Sequence, residues 1–163
     1  MSEMPGPHDR LRELGLELPS PPAALAAYVP TRTVPLGGGR ALVFVAGQVP
    51  MRDGGPLYAG GVPDVVSVEQ AREGARLCAL NVLAQVEAVA GLDNVEQVVQ
   101  LTGYVLSSEG FGDQPQVINA ASELLAEVLG DAGRHSRVAV GVNALPRSVT
   151  VEISAVVQVR SAS

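Results

Sequence analysis

A chain of 163 residues, 47% of them hydrophobic but with only two Phe, three Tyr and no Trp, is long enough for one domain whose core is filled by Ala and Val rather than by rings. Its net charge of −6 argues against a nucleic-acid partner, because non-specific affinity for phosphates needs a cationic surface. All eleven basic residues are Arg, and the lack of Lys excludes a lysine Schiff base, a lysine general base and the phosphate-gripping lysine of a P-loop.

Residues 1–12 hold no apolar run, so no signal peptide is expected there. Residues 8–15 predict a short amphipathic helix stopped by Gly15. Pro19, Pro21 and Pro22 then require an extended connector. A weak strand over 31–35 leads into Gly37-Gly38-Gly39, read as a hairpin turn because no helix follows it. The apolar run from Arg40 to Gln48 predicts a buried strand.

Turns at Asp53-Gly54-Gly55 and Gly60-Gly61 precede the longest helix. Ser67 opens it with Gln70 as capping-box partner, and Gly91 ends it. Its buried stripe is Ala71, Ala75, Cys78, Leu80, Val82, Leu83, Val86 and Val89. Cys78 is the only cysteine, so no disulfide within the chain is possible, and inside this run it is a small buried hydrophobe rather than a nucleophile. One Cys and two His also argue against a zinc site.

Residues 95–106 predict a strand and 107–112 a loop. A second helix starts at Asp113 or Gln114, with Asp113 as its cap, carries Val117, Ala121, Leu124, Leu125 and Val128 inward, and stops around 130–133. Two strands close the chain. Val138, Val140 and Val142 share one face of the first, leaving Arg137 and Ala139 on the other. In the second, Val151, Ile153, Ala155 and Val157 share a face, and Glu152 sits opposite with Thr150 and Ser154. Arg137 is a forked carboxylate binder and Glu152 can take or give a proton, whereas a structural salt bridge would use the same two residue types. His135, in a Gly- and Arg-rich loop, reads as solvated. The pattern as a whole predicts an α+β domain: a mixed sheet with two helices on one face, its other face covered by oligomerisation. No segment reaches the roughly 20 apolar residues of a membrane helix, so a soluble cytoplasmic protein is expected.

Several short signatures occur in order: Ala46-Gly47-Gln48-Val49-Pro50, Ala75-x-x-Cys78-Ala79-x-Asn81, Thr102-Gly103-Tyr104-Val105, Val117-Ile118-Asn119-Ala120, then Arg137 with Leu145-Pro146 and Val151-Glu152-Ile153. Over residues 28–159 the chain resembles the RidA family, also called YjgF and labelled endoribonuclease L-PSP. The opening through Pro21-Pro22 and the segment from Phe111 to Pro115 resemble a divergent subgroup with an extended N-terminus. The resemblance divides the chain into an extension (1–27) with a short helix and one RidA-like domain (28–163).

It implies a chorismate-mutase-like fold and a homotrimer with ligand clefts between subunits. It further implies hydrolytic deamination of reactive 2-imino and 2-enamino acids to 2-keto acids and ammonia, without metal or organic cofactor. By motif position Arg137 would clamp the substrate carboxylate and Glu152 would orient or activate the hydrolytic water. Tyr28 would wall the cleft, backbone near Gly47 and Ala139 would orient the ligand, and Asn119 would back the substrate site from behind. The chain departs from the family at Ala46, Ser136 and Ala139, where Ser, Ala and Cys are usual. Those departures and the extension leave a second reading, a non-catalytic trimer that binds a small carboxylate. Ribonuclease activity follows only from the family label and fits the acidic charge poorly.

Overall fold

The computed structural model of the chain describes residues 4–161. Proline and glycine set most element ends. Helix α1 (Pro7–Glu13) has Pro at its first position, where a missing N–H costs nothing, and buries Leu11 in the core. The chain beyond it runs extended through the prolines and is fastened to the next helix by Gln85, whose Nε2 donates to the Pro22 carbonyl at 2.7 Å. Strands β1 (Thr31–Gly37) and β2 (Arg40–Gln48) form the expected antiparallel hairpin, turned by three glycines at positive φ. A minimal hairpin, β3 (Met51–Arg52) and β4 (Gly55–Pro56), lies apart from the main sheet.

Ser67 and Gln70 close a reciprocal capping box, each backbone N–H donating to the other's side chain at 3.1 Å, and helix α2 (Val68–Val89) follows. Strand β5 (Val95–Leu106) has the expected bounds. Helix α3 (Gln114–Leu129) leads through a short 3-10 turn (Gly130–Gly133) into β6 (Ser136–Val142), and β7 (Val151–Arg160) closes the chain.

The main sheet has five strands in the order β1-β2-β7-β5-β6. All pairs are antiparallel except β5–β6, which α3 connects as a crossover. The last two strands of the chain are therefore not neighbours, since β5 separates them. Both α2 and α3 pack on one face, where Val43, Leu101, Val105, Val151, Ile153 and Val157 meet Cys78, Leu83, Ile118 and Leu124. Gly103 is needed there, because a Cβ would lie under 3 Å from the Ile118 side chain. Cys78 is fully buried, as its place on the helix stripe predicts.

Two expectations need correction. Strand β2 is buried on one side only: Ala41, Val43 and Val45 face the helices, while Phe44 is 44% exposed. Val89 also lies outside the buried stripe, exposed on the last turn of α2. The face away from the helices carries Phe44, Val138 and Val140, exposed by 44%, 49% and 41%, together with Glu152. Among the described residues no helix is long and apolar enough to cross a membrane.

Candidate functional site

Glu152 owes its setting to an irregularity in the neighbouring strand. The β2–β7 register slips between Val45 and Gln48, so Ala46 and Gly47 bulge beside Ile153. The Glu152 side chain lies over Gly47: a Cβ there would sit 3.0 Å from Cδ, 3.2 Å from Cγ and inside the carboxylate oxygen. Glycine is thus the residue that lets the carboxyl rest against the strand.

Three buried amides brace this region. Gln48 Nε2 donates to the Ala46 carbonyl at 2.9 Å across the bulge, Asn81 Nδ2 to the Val49 carbonyl at 3.1 Å, and Gln85 to Pro22. The last bond draws the N-terminal extension over the site. Leu25, Ala26, Tyr28 and Val29 then wall a cavity of about 640 Å³ whose other side is Ala46, Gly47, Val49, Pro146, Arg147 and Glu152. A second cavity of about 400 Å³ adjoins it and shares Leu25, Tyr28, Gly47, Val49 and Arg147. The Tyr28 hydroxyl accepts from the Leu25 N–H at 3.3 Å. Glu152 is half-buried, and burial raises its pKa above the ordinary carboxylate value.

Arg137 stands on the other side of the sheet. It is in register with buried Leu101, whereas Glu152 is in register with Tyr104 on the open face. The two make no ion pair within the chain, and the simple salt-bridge alternative does not apply. Arg137 instead reaches α3: Nη2 donates to Asn119 Oδ1 at 2.7 Å and to the Pro115 carbonyl at 3.3 Å, and Nη1 donates to Ser122 Oγ at 2.9 Å. At least two of its five N–H donors remain for a ligand. Ala139 follows on the same face of β6 and packs against the core.

Sequence reasoning missed two members of this second cluster. His135 is half-buried rather than solvated, with Nδ1 2.7 Å from the Gly133 carbonyl and Nε2 2.9 Å from Ser122 Oγ. The carbonyl can only accept, so Nδ1 carries the proton and Nε2 accepts from the Ser122 hydroxyl. Burial, with Arg137 nearby, lowers the His135 pKa and favours its neutral form. Ser122 stands one turn after Asn119 on α3, a spacing that places both toward β6 and was visible in the sequence. Asp113 occupies the cap position, but its side chain makes no capping bond; its carbonyl accepts from the Gln116 N–H at 3.0 Å instead. Among the described residues no three His, Cys, Asp or Glu side chains gather as a metal site.

A five-stranded mixed sheet backed by two helices, with the parallel pair joined across one of them, defines the chorismate-mutase-like α+β class. Residues 8–156 match the model of the family described as "YjgF/chorismate mutase-like, putative endoribonuclease". The chain belongs to that family, the YjgF/RidA proteins. It is 39% identical to Protein TCP17 of Trypanosoma cruzi over 153 residues, covering 93% of this chain and 92% of the relative. The crystal structure of Agrobacterium tumefaciens Atu1372, a protein of unknown function, superposes with a TM-score of 0.80 at 42% identity, covering 93% of this chain and 90% of that one. Escherichia coli TdcF with bound serine superposes with a TM-score of 0.58 at 30% identity, over 86% and 93%.

Proposed function

We propose that the chain is a hydrolytic deaminase of small 2-imino and 2-enamino acids, working without metal or organic cofactor in a cytoplasmic homotrimer. The observation that carries this reading is the Glu152 carboxyl, half-buried beside Gly47 in a largely apolar cavity with its pKa raised. Ionised, it takes a proton from water as the water oxygen bonds to the imine carbon. That proton, returned to nitrogen, gives a carbinolamine; as its C–N bond breaks, the carboxylate takes the hydroxyl proton and passes it to nitrogen, so ammonia leaves and the carbon becomes a ketone. Tyr28 and the bulge at Gly47 bound the space in which the substrate lies.

Arg137 faces away from Glu152 in its own chain, so its use as a carboxylate clamp calls for a neighbouring copy. Three copies closing over the apolar sheet face would cover Phe44, Val138 and Val140 and bring Arg137 of one copy to the Glu152 cavity of the next. Asn119 and Ser122 would hold the guanidinium in place. The serine bound by TdcF, an amino acid with a free carboxylate, supports a small carboxylate as ligand.

The test is the decay of freshly generated 2-iminobutyrate with the wild type, Glu152→Gln and Arg137→Ala. Acceleration by the wild type that is lost in both variants is expected. The departures at Ala46 and Ala139, which remove a hydroxyl and a thiol from the family pattern, favour the second reading, a carboxylate-binding trimer without turnover. Saturable 2-ketobutyrate binding by a folded wild type that leaves imine decay unchanged would replace the first reading with that one.

A further inference from the structure

The cation that lines the Glu152 cavity from the same chain is Arg147, a residue neither the family motifs nor the alternation of the strands singles out. Its backbone is left-handed, with φ +55° and ψ +20°, and Ser148 follows at φ +56°. Two successive non-glycine residues in this region carry a steric cost, tolerated where the surroundings fix the conformation. Here the fixing is visible. The Ser148 N–H donates to the Leu145 carbonyl at 3.0 Å, the Gly60 N–H donates to the Ser148 carbonyl at 2.9 Å, and Val149 bridges Ala59. The turn is thereby held with Arg147 on the wall shared by both cavities.

The guanidinium is barely used by the protein. Among the described residues its contact is one long hydrogen bond, Nη2 to the Gly54 carbonyl at 3.4 Å, and it forms no ion pair. It is not paired with Glu152 either, whose carboxyl is perturbed by burial alone. Arg147 and Glu152 are the charged residues among those lining the two cavities, and the rest of the lining is mostly apolar. A free, forked cation facing such a space is suited to an anionic group of a ligand.

We propose that Arg147 is an anion-binding residue of this cavity and that it selects ligands with a second carboxylate, that is, acidic 2-imino or 2-keto acids. The inference rests on the reading of the cavity as a 2-imino or 2-keto acid site. The α-carboxylate goes to Arg137 of a neighbouring copy and the distal carboxylate to Arg147, with the carbon chain between them along the wall formed by Leu25 and Tyr28.

The test is calorimetric titration of the full-length protein with 2-oxoglutarate and with 2-oxobutyrate, for the wild type, Arg147→Gln, Arg147→Lys and Arg147→Gly. The wild type should bind the dicarboxylate at least about tenfold more tightly, as one charge-assisted contact implies. Arg147→Gln should remove that preference and Arg147→Lys should keep part of it. Arg147→Gly, which relieves the left-handed backbone, should lose the preference while raising the melting temperature, separating ligand loss from unfolding. Equal affinities in the wild type, or a preference that survives Arg147→Gln, overturns the proposal. Turnover of 2-iminobutyrate reads the deaminase function separately. Turnover without a dicarboxylate preference defeats only the role of Arg147, and a preference without turnover defeats only the catalysis. Binding of neither acid together with no turnover defeats both.

Discussion

Gly47 and Glu152 are in direct contact across β2 and β7, and the contact exists because Gly47 has no side chain. The strand bulge presents bare backbone to the carboxyl, which fixes where that carboxyl stands relative to Tyr28 and the cavity behind it. The position of the carboxyl and the course of the backbone are one feature here.

Gly47→Ala therefore should displace the carboxyl without unfolding the chain. The added methyl meets the end of a flexible side chain rather than packed backbone, so Glu152 swings away. A misplacement of about 1 Å costs on the order of 10²-fold in rate. Imine hydrolysis by Gly47→Ala should fall by about that factor, with far-ultraviolet circular dichroism unchanged. Full activity would separate the carboxyl position from catalysis.

Glu152→Gln tests the same residue through stability. Its native pKa is raised, so the native state binds the proton more tightly than the unfolded chain. The associated stabilisation is complete below the unfolded value of 4.5 and is lost as pH rises through the raised native value. Above that raised value the wild type thus holds a half-desolvated charge that the amide variant lacks. Melting scans should find Glu152→Gln equal to or above the wild type at pH 8, with the gap closing toward pH 4, while hydrolysis is abolished. A variant that melts lower at pH 8 would mean that the carboxylate has a stabilising partner.

His135 titrates with the opposite sign. Its native pKa is lowered, so it contributes stability that is complete above the unfolded value of 6.5 and is lost as pH falls through the lowered native value. Protonation also puts a hydrogen on Nε2, where the Ser122 hydroxyl now donates, and sets a second cation beside Arg137. Between pH 7.5 and 5 the wild type should lose more melting temperature than His135→Gln, and its KM for imino acids should rise more steeply. Parallel profiles would reduce His135 to packing.

What the sequence could and could not disclose follows from the range of each signal. The Ser67–Gln70 box and the bounds of β5 were legible because capping and strand periodicity are local. Alternation also gave the two faces of β6 and of β7 correctly. It could not say that Arg137 and Glu152 face opposite ways, because a period of two carries no strand order, and β5 stands between their strands. The prolines announced an extended segment, but its docking on Gln85 depends on a partner 63 residues away. His135 read as solvated because its two partners are a backbone carbonyl and a helical serine, neither of which has a sequence signature.

The open sheet face offers the sharpest test of assembly. Phe44 and Val140 each leave more than 40% of their surface in solvent, on the sheet face opposite the helices. Sheets exposing such residues on one face gain most by burying them against another copy, since each large apolar side chain removed from water contributes about 1.5–3 kcal/mol. Phe44→Asp and Val140→Asp change groups that point away from α2 and α3, so each chain should still fold. Light scattering should find three chains in the wild type and one in each variant. Because Arg137 can reach a Glu152 cavity only from a neighbouring copy, hydrolysis should vanish with the assembly. Activity retained by a folded monomer would confine the chemistry to the residues of one chain, Glu152, Tyr28 and Arg147.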